Sequence, residues 1–213
     1  VTRGQRDRPP PRPRARGHER ADTRGAEPRE RPPRPAPREA RAPHEANSGE
    51  IVYGLRAALA LLETRPGSIR EVFVAPEARD EARPLLMRIR ASRELPDREL
   101  ERLAQSSHHE GVVVRTDPRR WTSGKELRAL FDPRNRGRDA RPPVGIALDR
   151  VRNPYNVGAI LRSAAFFGVD VAILGAPAPH PALAPDAVRV AEGGAERLSL
   201  SRTTDLAETL AQL

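Results

Sequence analysis

Leu148-Asp149-Arg150-Val151-Arg152-Asn153-Pro154-Tyr155-Asn156-Val157-Gly158-Ala159-Ile160-Leu161-Arg162-Ser163-Ala164-Ala165-Phe166-Phe167-Gly168-Val169-Asp170 is the stretch on which the fold of this chain turns. Residues 144–148 form an apolar run that stops at Asp149, residues 169–174 form another, and residues 157–167 between them carry apolar side chains at helical spacing. Two strands apolar on both faces and joined by a helix make a βαβ unit of a parallel sheet with a right-handed crossover. Ligands of such sheets sit beyond the carboxyl ends of the strands, so chemistry is expected at residues 149–156. Asn156 stands where the helix begins and Arg162 six residues later, about 240° around the axis, so one lies at the mouth and the other on a flank. Gly158 allows a backbone or a ligand to approach the first turn closely, and the free amides of that turn favour an anion. From the residues alone the plainer roles are favoured: Asn156 as a helix N-cap, and Arg162 in a surface ion pair with Asp149 or Asp170.

Working upstream, residues 50–115 alternate between the two periodicities. Ile51 and Val52 lead through Gly54 into Leu55, Ala58, Leu59 and Leu62 at helical spacing. Residues 69–75 read as a buried strand, Ala82, Leu85, Leu86 and Ile89 as a second helix, and residues 97–104 as a third capped by Asp97. Residues 111–114 supply another strand, and the whole describes a small α/β domain. Residues 116–143 hold Pro118, Gly124, Pro133, Gly137, Pro142 and Pro143 around one short amphipathic stretch at residues 127–131, and read as a linker. Trp121 within it is read as a staple on a domain surface in preference to a base-stacking platform.

Residues 1–49 contain 13 arginines, 7 acidic residues and 10 prolines, with Val1 as the one large aliphatic side chain. Such a segment buries too little apolar surface to offset the entropy of ordering it, and a disordered basic tail is expected. Its charge suits a polyanion, nucleic acid first; 37 arginines against the single Lys125 also fit a compositional bias. The absence of cysteine removes disulfides, a thiolate nucleophile and any cysteine-based zinc site, in keeping with a cytoplasmic protein. No apolar run reaches the ~20 residues of a membrane span. No Gly-x-Gly-x-x-Gly follows a strand and there is no Walker loop, which argues against an ordinary dinucleotide or Rossmann methyltransferase site. The adjacent His108 and His109 cannot both face one metal from a regular strand and read as loop contacts to backbone or RNA, and no metal site is expected. Glu192 and Glu196, with nothing to pair them as acid and base, read as solvated.

The pattern Asn-Pro-x-Asn-x-Gly-x-x-x-Arg at residues 153–162, followed by Phe-Gly-Val at 167–169, resembles the first motif of the SpoU/TrmH family of SPOUT RNA 2'-O-ribose methyltransferases. Residues 186–196 resemble the helix and small-residue turn after that family's second strand. Val52-Tyr53-Gly54 and residues 108–113 resemble its auxiliary substrate-binding domain, which is similar to a small ribosomal protein. The likeness runs in order through residues 50–213. It implies an α/β chain: a disordered tail at 1–49, a ribosomal-protein-like RNA-binding domain at 50–115, the linker at 116–143, and at 144–213 the first half of a parallel-sheet, trefoil-knot SPOUT domain.

The implied activity is methyl transfer from S-adenosylmethionine to a ribose 2'-hydroxyl of ribosomal or transfer RNA. Asn156 and Arg162 are the implied catalytic residues, with Arg150, Arg152, Asn153, His108 and His109 as RNA contacts. Family proposals make the arginine a general base; because a guanidinium stays protonated, Arg162 is better suited to clamping a phosphate or orienting the hydroxyl. The family's Asn-Glu-x-x-Gly loop and Ser-Leu-Asn segment, which wall the donor site, are not found, so the cofactor site is expected beyond Leu213 and the catalytic domain is expected to be incomplete and unstable by itself. Dimerisation through the knotted domain is implied for a complete protein. The alternative is a non-catalytic RNA-binding module.

Overall fold

The computed structural model describes residues 49–137, 140–175 and 183–213. The basic tail lies outside the described residues, apart from Gly49. The described residues belong to one compact unit.

The first half builds a four-stranded sheet from β1 (Glu50–Tyr53), β2 (Ile69–Val74), β3 (Ser92–Glu94) and β4 (Val112–Thr116), in the order β1-β4-β2-β3. β4 runs antiparallel to both neighbours, whereas β2 and β3 are parallel. Helices α1 (Leu55–Thr64), α2 (Arg83–Arg88) and α3 (Asp97–Ala104) connect them. Asp97 opens α3 but does not cap it: Pro96 holds the cap position without a side-chain bond, and Asp97 sits in the first turn, where its charge complements the helix dipole. β3, Ser-Arg-Glu, was not legible in the sequence because it carries no apolar side chain: its main chain pairs with β2, while Arg93 and Glu94, both exposed, pair with Glu71 and Arg79.

The second half is a parallel sheet in the order β5-β6-β7, made of β5 (Gly145–Leu148), β6 (Val171–Gly175) and β7 (Ser199–Thr203). Helix α5 (Pro154–Phe166) crosses from β5 to β6, and the short helices α6 (Pro185–Val190) and α7 (Gly194–Arg197) precede β7. The expectation of strands buried on both faces describes β6, most of whose residues are buried, but not β5, where Gly145 and Ala147 are exposed. β7, Ser-Leu-Ser-Arg-Thr, hid behind its polar composition; its Ser201 is buried because the hydroxyl donates to Thr122 O at 2.9 Å.

The segment read as a linker contributes structure of its own. Ser123 and Glu126 form a capping box at the start of α4 (Gly124–Phe131). That box commits the chain to a helix whose Leu127 is fully buried against Val171 and Ile173. Thr122 N donates to Leu200 O at 2.8 Å, and Trp121 packs on the main core with the Arg202 guanidinium 4.9 Å from its ring centre, the stapling role expected of it. A last helix, α8 (Leu206–Ala211), follows β7.

One apolar core spans both halves: Val52, Ala57 and Leu61 cluster with Leu161, Ala187, Ala191 and Ala195. Two polar junctions close over it. In the first, Glu196 accepts from Arg65 Nε at 2.9 Å and from Arg119 Nη2 at 2.6 Å, while Glu50 accepts from the same two arginines at 3.2 and 3.1 Å. Glu196 is therefore not the solvated residue expected; its side chain is 2% exposed and that of Arg119 8%. Burial works against the charge on Arg65, but Glu196 and Glu50 outweigh it and hold the guanidinium more firmly protonated.

In the second junction the Tyr53 hydroxyl donates to Asp186 of α6, and burial followed by that bond pushes its pKa up to about 12. Because the proton is held in the folded state and released near pH 10 in the unfolded chain, this contribution to stability is complete below about pH 10 and disappears as pH rises to about 12. In a Tyr155→Phe variant, which leaves Tyr53 as the one tyrosine, absorbance at 295 nm is expected to show ionisation only near pH 12 or on unfolding. Ionisation of Tyr53 near pH 10 in the folded chain would contradict the junction.

Candidate functional site

The carboxyl end of β5 leads into the loop 149–153, whose polar side chains are exposed. Arg150 takes a positive φ of 55° and lies 3.7 Å from Asp149, a weak contact that leaves its guanidinium largely in solvent. α5 begins three residues earlier than the apolar spacing suggested, because Asn153 and Pro154 together start it: the Asn153 side chain accepts from Tyr155 N at 2.9 Å and Pro154 fills the first helical position. Asn156 is thus not the cap. It sits in the first turn with its side chain exposed at the mouth. Asn153, a candidate RNA contact, has its side-chain oxygen engaged in the cap.

Gly158 serves a backbone approach, one of the two uses foreseen for it. A Cβ there would lie 2.6 Å from Ala187 O and 2.7 Å from Val190 Cβ, so the missing side chain lets α6 seat against α5 directly below the mouth. Gly158→Ala would gain the ~1 kcal/mol of helix propensity but force a main-chain shift, for a net loss of about 1–2 kcal/mol. Urea unfolding of the variant checks this, and an unchanged midpoint would count against the close packing.

Arg162, 58% exposed, pairs with neither Asp149 nor Asp170. Its Nη1 donates to Glu192 Oε1 at 2.9 Å. Asp170 is bound instead by both Nη atoms of Arg141 at 2.8 Å and by Val144 N, and Arg141 with that amide holds its carboxyl below the usual range. Glu192, read as solvated, is 32% exposed and also lies 3.6 Å from Arg56 Nε of α1. The carboxylate partner of Arg162 comes from the α6–α7 turn, 30 residues away in sequence, and no local spacing announced it.

The two histidines divide. His109 is 5% exposed and its Nδ1 accepts from Gly111 N at 3.1 Å, so it shapes the turn before β4. His108 is exposed, with its main-chain amide bound to Ser106 Oγ at 3.2 Å. Glu110 next to them accepts from Leu55 N at the start of α1 and pairs with Arg189 of α6 at 3.5 Å. Among the described residues no three His, Asp or Glu side chains gather as they would around a metal ion, and no helix is long and apolar enough to cross a membrane.

A cavity of about 240 Å³ opens at the carboxyl end of β7, lined by Leu127, Arg128, Thr203, Asp205, Glu208 and Thr209 among others. It is smaller than the ~300–1,000 Å³ usual for a ligand of drug size and shares no lining residue with the Asn156–Arg162 surface.

With this geometry in view, comparison with known proteins is decisive. The SpoU rRNA methylase family model matches residues 143–213, and the RNA 2'-O ribose methyltransferase substrate-binding model matches residues 51–122. A 23S rRNA (guanosine-2'-O-)-methyltransferase RlmB from Salmonella typhimurium is 34% identical over 171 residues, which cover 77% of this chain and 67% of the relative. The chain belongs to the SpoU methylase family.

Within the family, the RlmB of Yersinia pestis is 35% identical over 168 residues, covering 76% of this chain and 65% of its own length. The chain thus spans about two thirds of the curated relatives it matches. The SpoU methyltransferase AviRb from Streptomyces viridochromogenes, in complex with AdoMet, superposes with a TM-score of 0.56 at 22% identity over 76% of this chain and 56% of that one. A second structure, of an RNA 2'-O ribose methyltransferase, gives a TM-score of 0.58 at 17% identity over 78% of this chain and 58% of that one. At these identities the two structures establish the α/β fold with its parallel sheet.

Proposed function

We propose that this chain provides the RNA-recognition half and the acceptor side of a 23S rRNA guanosine 2'-O-methyltransferase. The observation that carries the proposal is the position of the first motif. Asn156 stands exposed in the first turn and Arg162 in the third turn of a helix that follows the carboxyl end of a parallel strand, and the loop between strand and helix carries the exposed cations Arg150 and Arg152. The names of the relatives support ribosomal RNA and the guanosine 2'-hydroxyl as the target.

In this reading residues 50–115 are the RNA-binding domain and residues 144–213 carry the motif. Arg150, Arg152 and His108 meet the RNA, the arginines by neutralising phosphates and releasing counterions. His109 and Asn153 shape the loops that present them. Arg162 grips a phosphate next to the target ribose and Asn156 hydrogen-bonds that ribose, so the 2'-hydroxyl is held in line for attack. Holding reactants in such geometry is itself a large part of catalysis. S-adenosylmethionine, when bound, supplies an electrophilic methyl group. The 240 Å³ cavity does not fit it, and no donor cradle is assigned to the described residues. The complete protein is proposed to be a homodimer acting in the cytoplasm.

The test is to incubate the protein as encoded by its gene with 23S rRNA and tritiated S-adenosylmethionine, then digest the RNA to nucleosides. Label in 2'-O-methylguanosine is the expected result. Label on a base would refute the reaction type, and RNA binding without any transfer would favour the non-catalytic module.

A further inference from the structure

The turn between α6 and α7 is wedged between the two halves of the molecule. A Cβ on Gly193 would lie 2.6 Å from Ala60 Cβ of α1, and one on Gly194 would lie 2.7 Å from Leu161 O and 3.0 Å from Arg162 Cα of α5. The turn therefore touches the first α/β half on one side and the main chain of the motif arginine on the other. At its tip Glu192 takes a φ of +46°, a left-handed conformation that a residue with a Cβ adopts rarely and that persists where the surroundings over-determine it. Its carboxylate then bridges the halves, with Oε1 2.9 Å from Arg162 Nη1 and Oε2 3.6 Å from Arg56 Nε. The left-handed residue ends α6, as is common just past a helix C-cap, but an exposed ion pair of this kind contributes little to stability, so the pair is not explained by the fold alone.

We infer that Glu192 is a positioning residue for Arg162, and that through Arg56 and the wedged turn the first half of the chain sets the orientation of that arginine. The inference rests on the proposed function for its consequence in catalysis. The carboxylate fixes one edge of the guanidinium and leaves the other donors free for a phosphate or a ribose oxygen, since a guanidinium has five N–H donors. Docking of RNA on the first half, by holding α1 in place, would keep this geometry at the moment of reaction.

The experiment compares wild type with E192G, E192Q and R56A in the protein as encoded by its gene. Glycine relieves the left-handed backbone while deleting the carboxylate, so E192G is expected to melt at the same or a higher temperature while kcat falls on the order of tenfold or more. KM for RNA should stay within about twofold, because positioning and not affinity is lost. E192Q, which keeps an acceptor for Arg162, should fall between wild type and E192G, and R56A should show a smaller loss of kcat. An unchanged or raised kcat in E192G, or a loss confined to KM, would overturn the inference. If the wild type transfers no methyl group, the proposed function fails separately, and positioning is read from ¹⁵N relaxation of the Arg162 Nε–H group. A drop in order in E192G supports the inference, and no drop overturns it.

Discussion

Arg162→Ala is expected to lower methyl transfer by on the order of 10²- to 10³-fold, the size of effect seen when one well-placed donor is removed from a reacting centre. Donor binding should barely change, since Arg162 is proposed to act on the acceptor side and is not among the residues lining the 240 Å³ cavity. Its side chain is 58% exposed and held by one carboxylate, so the truncation leaves no buried charge unpaired and the fold should survive. Two titrations check the assignment: single-turnover transfer to rRNA, and calorimetry with the donor analogue S-adenosylhomocysteine. Equal loss of both would remove Arg162 from the acceptor side. Arg162→Lys should recover only part of the activity, because an ammonium cannot hold Glu192 with one edge and a phosphate with the other.

Glu196→Ala is the substitution expected to harm stability most. It removes one of two carboxylates that neutralise Arg65 and Arg119 at the junction of the halves and leaves the Arg119 guanidinium, 8% exposed, with Glu50 as its remaining anionic partner. Breaking a buried ion cluster from one side costs about 3–5 kcal/mol, and the lower figure is expected here because Glu50 remains. A urea titration followed by circular dichroism measures the loss. Glu196→Leu combined with Arg119→Met should recover part of it, since exchanging both members of a buried pair for apolar groups avoids the stranded charge. A loss below about 0.5 kcal/mol in the single variant would mean that the cluster is solvated and that the two halves are held by the apolar core alone.

The elements read from periodicity were those that hide an apolar face: α1, β2, β4, α5 and β6 all carry Val, Leu, Ile or Ala at the spacing their geometry demands. β3 and β7 escaped because a strand can be held by main-chain pairing with polar side chains. Leu127 looked like part of a linker because nothing nearby in sequence shows that Val171 and Ile173 will cover it.

At the site the same division holds. The sequence by itself determined the βαβ unit, the place of Asn156 near the entry of its helix and of Arg162 on the helix flank, and the family to which that motif belongs, because the motif and the strand–helix–strand pattern that carries it lie within about 30 residues. Only the tertiary structure decided what each side chain touches. Asn153 and not Asn156 caps the helix, Gly158 admits α6, Glu192 is the partner of Arg162, and Glu196 is buried in an ion cluster. The cap turned on which residue first adopts helical dihedrals, a matter of a few residues that periodicity does not resolve. The other contacts join residues that chain folding alone brings together, from as far as 131 positions apart, and a charge carries no mark in the sequence of the partner it will find.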